Sequence, residues 1–245
     1  TVRGLVLRVN SPGGSAFGSE QIWKALEDFK KSGKPLAGSM GDYAASGGYY
    51  ISCGAQRIFA QPTNVTGSIG IFGMIPCTQE LAENKLGVYT HVVKTNENSD
   101  IGLVQKKLTP VQLAAMQNTV NNGYELFTRR CAEGRHLAQD SIKKIAEGRV
   151  WDGATARSIG LVDEIGGLDA AISWVAKKAG LVDYGIQNYP AQEASFAGMF
   201  GNYMAREYED RLKRDMGFMY EYHQGIMRYF GRAHTLCLME QTIIK

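Results

Sequence analysis

Short apolar runs alternate with amphipathic stretches along the first hundred residues, which predicts strands and helices in turn. Residues 4–9 (GLVLRV) read as a strand ending at the turn cluster Asn10-Ser11-Pro12-Gly13-Gly14. Residues 17–31 follow with Ile22, Trp23, Leu26 and Phe29 on one helical face, and Gly33 as the C-cap. Residues 35–40 predict a second strand. After a turn at Gly41-Asp42, the small apolar stretch 44–53 predicts a buried helix. Residues 57–60, 69–72 and 89–94 read as further strands, with a helix at 81–85 before Gly87. Alternation of this kind implies right-handed crossovers and a largely parallel sheet.

The middle of the chain turns helical. Thr109 as N-cap with Pro110 at the first helical position opens a long helix to about Glu133. Shorter helices are expected at 141–147 and 154–158, a longer one at 168–179 before Gly180, and a last strand at 185–189. From Phe196 to Arg232 the composition shifts, and six of the nine methionines lie after residue 190 among aromatics and charges. Phe196, Met199, Phe200, Tyr203 and Met204 share one helical face, and Leu212, Met216, Met219, Tyr220, His223 and Met227 another. Packing on the domain or on a neighbouring subunit explains such faces. A membrane-surface or greasy substrate-binding element is the alternative, and the near-balanced charges of this segment weaken it.

Composition narrows the class. A 245-residue chain with 44% apolar and 21% charged residues can bury a sizeable core. No stretch approaches the ~18 apolar residues of a membrane-spanning helix, and no signal segment opens the chain. A net charge of +3 without a basic block gives no reason to expect nucleic acid as a partner. Cys53, Cys77, Cys131 and Cys237 show no CxxC spacing, so a metal knot is not expected, and Cys53 and Cys131 sit in apolar helical patterns as buried hydrophobes. The chain enters an apolar run almost at once, which reads as a segment of a larger protein. Twenty-nine glycines, about 12% against a usual ~7%, call for positive φ or close backbone approach at many positions.

Three of the glycine-bearing turns could carry chemistry: Asn10–Ser15, Ala44-Ala45-Ser46-Gly47-Gly48 and Thr66-Gly67-Ser68-Ile69-Gly70. In open α/β sheets, sites form beyond the carboxyl ends of the strands, where such turns converge. Neither GxGxxG nor GxxxxGK[ST] occurs at them, whereas an oxyanion hole needs only two backbone N–H groups. Ser46, flanked by Ala45 and Gly47 at the start of an apolar helix, has the setting of a nucleophile. An N-cap serine in a tight crossover is the other reading. A serine hydroxyl needs a base. His91, His136, His223 and His234 do not form a triad by spacing, and Lys94 and Lys106 read as solvated lysines.

The runs VRGLVLRVNSPGGS (2–15), GDYAASGGYYIS (41–52), TGSIGIFG (66–73) and EGRVWDGATARSIGLVDEIGG (147–167) resemble the bacterial signal peptide peptidase A family. These are serine peptidases of the Clp-protease/crotonase fold, and the resemblance covers about residues 1–180 in order. It implies an α/β peptidase domain over residues 1–189, its N-terminal edge cut, with parallel strands and crossover helices, followed by a helical extension over 190–245. Ser46 would be the nucleophile, Ser68 the serine that orients a lysine base, and the N–H groups of Gly14 and Gly47 the oxyanion hole, with Asn10, Ser11 and Pro12 shaping the first turn. Single-length members carry the lysine just before Asp-Ile. Here Asp100-Ile101 follow Ser99, so the lysine position holds serine. Double-length members split the pair between halves, and this chain resembles the C-terminal half, with no base of its own.

The resemblance therefore implies a Ser/Lys endopeptidase of apolar, extended peptides, released signal peptides among them, with the lysine supplied from outside this chain and no cofactor. Alone, the chain would be inactive. It further implies a homotetramer, a missing N-terminal half as partner, and a membrane anchor in that missing part that holds the domain outside the cytoplasm. Two rivals use the same turns. Crotonase-type acyl-CoA chemistry would need a positioned carboxylate, with Asp42 the acid near the turns. A non-catalytic assembly half would need no base at all.

Overall fold

Ten residues, Leu36–Ala45, eight of them buried, form the strand around which the sheet assembles. The computed structural model describes residues 2–189 together with 213, 214 and 220. The chain divides into two compact units, Thr1–Leu181 with Thr235–Lys245, and Val182–His234; the fold below belongs to the first. Its elements run β1 (Leu5–Ser11), α1 (Ala16–Lys31), β2 (Leu36–Ala45), α2 (Gly47–Ser52), β3 (Arg57–Ala60), β4 (Val65–Gly67) and α3 (Gln79–Leu86). They continue with α4 (Pro110–Arg135), α5 (Gln139–Ile145), β5 (Val150–Asp152), α6 (Gly153–Ser158), β6 (Glu164–Ile165) and α7 (Leu168–Lys178).

β2 pairs in parallel with β1 along one edge, Leu5 opposite Leu36 through Ser11 opposite Ala44. Ala37–Ser39 also pair with β3, and Tyr43–Ala45 with β4. Residues shared between two partners must place them on opposite edges, so β3 and β4 follow one another along the edge away from β1. β6 extends β3 in parallel, while β5 runs antiparallel to β4. The α/β expectation holds, with β5 the antiparallel exception among these strands.

Period-2 alternation sends β2 into two cores. Leu36, Met40 and Ala44 join the main cluster with Trp23 and Leu26 of α1, Tyr49 and Tyr50 of α2, and Phe127 of α4. Ala37 faces the other way, toward Phe59, Ala171 and Val175. Helices on both faces are what a parallel sheet needs to bury both sides. Across the main cluster, Arg130 stacks on the Trp23 ring at 3.9 Å and pairs with Glu20 at 2.7 Å; Tyr50 donates to the same carboxylate. The buried environment and the Glu20 hydrogen bond hold the Tyr50 phenol well above its ordinary range.

Several expected elements are corrected. Strand β2 does not turn at Gly41-Asp42 but runs to Ala45, because its later residues find partners on both edges, and only Gly47–Ser52 is helical. The strand expected at 69–72 lies instead at Val65–Gly67, the stretch that meets β2 and β5 in register. Residues 89–94 and 185–189 form no strand, for neither finds a sheet edge. Ile22 is half-exposed, whereas Trp23 and Leu26 are buried. Cys53 and Cys131 are buried as expected. The helical faces expected after residue 190 lie outside the described residues, apart from Tyr220, which is buried.

Candidate active site

Three parallel strands end side by side. Ser11 of β1 lies opposite Ala44, and Thr66 and Gly67 of β4 lie opposite Ala44 and Ala45. The turns that follow them, Pro12-Gly13-Gly14, Ser46-Gly47 and Ser68, therefore meet at one end of the sheet, where open α/β sheets place their sites. Asn10 fixes the first turn at a break in the β1 register, its Oδ1 accepting from the Tyr43 N–H at 3.1 Å. Ser11 Oγ accepts from the Gly13 N–H at 3.2 Å, and Ser15 closes the turn as N-cap of α1, accepting from Gly18 N at 3.1 Å.

Ser46 sits at φ 51°, ψ −118°, a conformation that L side chains rarely adopt. It occupies the N-cap position of α2, yet its hydroxyl makes no capping bond. The cap reading of the sequence thus has the right position and the wrong hydrogen bond. The surroundings enforce the backbone: the Ser46 N–H donates to the Gly67 carbonyl at 2.9 Å, and its carbonyl accepts from Tyr50 N at 2.8 Å. A residue held in such a region stores roughly 1–3 kcal/mol and persists because its environment over-determines it.

The Gly13-Gly14 turn packs directly on this corner. A Cβ on Gly13 would lie 2.8 Å from Ser46 Cβ and 3.1 Å from Gly47 N; one on Gly47 would lie 2.6 Å from Ser19 Oγ and 3.2 Å from Gly14 N. Neither the Gly14 nor the Gly47 N–H donates to a backbone acceptor among the described residues. Gly14 precedes the N-terminus of α1 and Gly47 opens α2, so both amides stand at helix starts that favour negative charge. Such a pair can stabilise an oxyanion forming beside Ser46 Oγ.

Ser68 also takes positive φ, 48°, and is 6% exposed, like Ser46. Its N–H donates to the Arg149 carbonyl at 2.7 Å. That bond continues the β4–β5 pairing, in which Trp151 stands opposite Thr66 and packs over Gly67. The sequence reading missed this back wall. A three-residue strand carries too little periodicity to register, although the alternating Arg149-Val150-Trp151-Asp152 run was its available signal.

The residues near the expected lysine position serve a different centre. Ser99 is exposed and donates to the Asn96 carbonyl at 3.0 Å. Lys94 and Lys106 keep solvent access, yet both pair with the buried Asp100 carboxylate, at 3.1 and 2.8 Å, and Gln112 Nε2 donates to its other oxygen at 2.8 Å. No hydrogen bond or ion pair joins either lysine to Ser46 among the described residues. Of the histidines, His91 is exposed and His136 is the left-handed C-cap of α4, while His223 and His234 lie outside the described residues.

Lys106 and then Lys94 hold the Asp100 carboxyl well below the usual carboxylate range. A depressed folded pKa contributes stability that is present above the unfolded value of about 3.9 and lost as pH falls below it. Limited proteolysis within residues 94–112 is thus expected to accelerate below about pH 3, and Asp100→Asn should bring the same sensitivity to neutral pH. Equal cleavage rates for both proteins at pH 7 would show that the cluster does not anchor this segment.

Comparison with known proteins bears on the same residues. A model of peptidase family S49 matches residues 28–182, which include Ser46, Gly47, Ser68 and Ser99 but not the Gly14 turn. Protease 4 of Haemophilus influenzae is 44% identical over 173 residues, covering 71% of this chain and 28% of that protein. Protease 4 of Salmonella typhi is 43% identical over 188 residues, 77% of this chain and 30% of its own length. A putative signal peptide peptidase SppA of Enterococcus faecium is 36% identical over 205 residues, 83% of this chain and 59% of that protein. The chain thus spans under a third of the two Protease 4 relatives and about three fifths of the third. With a family model matched over well over half its length, on a parallel α/β sheet whose turns converge at a strained serine, the chain belongs to peptidase family S49.

Proposed function

We propose that the chain carries the nucleophilic part of a serine endopeptidase, with Ser46 Oγ attacking the scissile carbonyl. The observation that carries this reading is the strained Ser46, free of any cap bond and set against the Gly13-Gly14 turn. The carbonyl oxygen, on becoming an oxyanion, accepts from the Gly14 and Gly47 N–H groups, both at helix starts. Ser68 orients the base, a lysine amine from outside this chain. It accepts the Ser46 proton during attack and returns it to the leaving amine, leaving an acyl-enzyme that water then hydrolyses. Support for an external base comes from Ser99 at the lysine position and from the engagement of Lys94 and Lys106 with Asp100.

The substrate is an extended apolar peptide; one relative is named a signal peptide peptidase, and released signal peptides are the class we propose here. The 189-residue peptidase domain then acts within a homotetramer, beside the half that brings the lysine and a membrane anchor, on the outer face of the cytoplasmic membrane, with residues 190–245 as a contact extension. No helix among the described residues is long and apolar enough to cross a membrane.

Labelling of the parent protein with a serine-reactive phosphonate, followed by peptide mapping, tests the nucleophile. The adduct is expected on Ser46 and is expected to vanish in Ser46→Ala. An adduct on another serine sinks the assignment, and full activity in Ser46→Ala favours acyl-CoA chemistry on the same turns.

A further inference from the structure

Helices α2 and α4 pack side by side with their residues in step. The Tyr50 and Phe127 rings meet with centroids 4.6 Å apart. Two turns further along α4, a Cβ on Gly134 would run into the Cys53 carbonyl and lie 3.0 Å from Gly54 Cα. Cys53, the C-cap of α2, and Cys131, which lies on α4 between Phe127 and Gly134, are both 0% exposed. Both thiols are free and belong to one buried cluster, and Cys53 Sγ donates to the Tyr50 carbonyl at 3.1 Å. Burial raises the Cys131 thiol well above its ordinary range, so neither thiolate nor oxidant reaches this contact once the core has closed.

We infer that Cys53 and Cys131 form a disulfide when the chain folds in the presence of a disulfide oxidant, cross-linking the helix headed by Ser46 to α4. One thiolate attacks a sulfur of the oxidant RSSR, giving a mixed disulfide and expelling RS⁻, which leaves as RSH. The second protein thiolate attacks the protein sulfur of that mixed disulfide and releases the second RSH. Two electrons and the two thiol protons pass from the cysteines to the oxidant. The bond closes the chain between Cys53 and Cys131, a loop that contains both Ser68 and the Asp100 cluster. Long loops are those in which a cross-link restricts the unfolded chain most. Buried between two helices, it is then shielded from soluble reductants. This inference does not depend on the peptidase reading.

The test is refolding of the 245-residue chain from denaturant in a glutathione redox buffer, followed by alkylation with N-ethylmaleimide and peptide mapping. A Cys53–Cys131 linked peptide, with neither residue alkylated, is expected. Reduction in denaturant and refolding with excess thiol should then lower the melting temperature by roughly 5–15 °C. Should refolding give no soluble protein, the same map on chain secreted into an oxidising compartment answers the question. Alkylation of both cysteines after oxidative folding, or a bond from either one to Cys77 or Cys237, overturns the inference.

Discussion

A Ser46→Gly substitution in the parent protein is expected to abolish peptide cleavage while raising the melting temperature. If Ser46 is the nucleophile we propose, its loss removes the covalent step, and activity should fall by roughly 10³-fold or more. Stability should move the other way. Ser46 is held at φ 51°, ψ −118°, where a side chain is strained and glycine is not. Relief of about 1–3 kcal/mol is offset by about 0.5–1 kcal/mol of extra freedom in the unfolded chain. The net gain of about 1 kcal/mol corresponds to a rise of about 2–4 °C. Ser46→Ala is the control, since alanine keeps the strain and loses the hydroxyl. It should be as inactive as glycine with a melting temperature close to that of the native protein. A glycine variant no more stable than the alanine variant would mean that the strain at Ser46 is not stored energy, and the case for a pre-organised nucleophile would lose its physical basis.

Strain of this kind explains which parts of the fold could be read from the residues. Where local chemistry decides, the sequence was sufficient. Thr109 as N-cap and Pro110 after it place the start of α4 correctly, and the structure adds Gln112 to complete a capping box. Ser15 before an amphipathic stretch starts α1, and the apolar run Arg57–Ala60 is β3. Where pairing decides, local pattern misled. Ala44 and Ala45 have the composition of a buried helix, but lateral partners in β1 and β4 hold them in a strand, moving the corner to Ser46. Residues 89–94 alternate like a strand and find no neighbour, so they form none. Two- and three-residue strands such as β6 and β5 are set wholly by the edge they join.

The site divides in the same way. The three glycine turns were visible as turns, and strand ends in a parallel sheet bring such turns together. What no spacing could reveal is the positive φ of Ser46, held by the Gly67 carbonyl and the Tyr50 N–H, or the positive φ of Ser68 with the Arg149 carbonyl behind it, where β5 pairs with β4. Nor could spacing show that Lys94 and Lys106 are held by Asp100. Six residues separate each from that carboxylate in sequence, and a buried acceptor is legible only once its neighbours have closed over it.

Gly13→Ala is the substitution expected to damage the site most without touching a reacting group. Gly13 has φ +123°, so any side chain there is strained, and its Cβ would lie 2.8 Å from Ser46 Cβ, 3.1 Å from Gly47 N and 3.2 Å from the Ala45 carbonyl. Two of these three neighbours are backbone atoms at the corner of β2 and α2, which cannot swing aside as a flexible side chain would. The turn itself must retreat, carrying the Gly14 N–H away from the Gly47 N–H. Loss of one oxyanion donor costs roughly 10²–10³ in kcat, and a donor displaced by even an ångström approaches that limit. Gly14→Ala provides the milder contrast: at φ +157° a side chain is strained there too, but no atom lies within 4 Å of the Cβ it would add. Steady-state kinetics of the parent protein on an apolar peptide should therefore show kcat reduced about 100-fold or more for Gly13→Ala, with KM little changed, and a far smaller loss for Gly14→Ala. A Gly13→Ala enzyme with near-native kcat would mean that the close approach of this turn to Ser46 has no part in catalysis, and the oxyanion would have to be held by other donors.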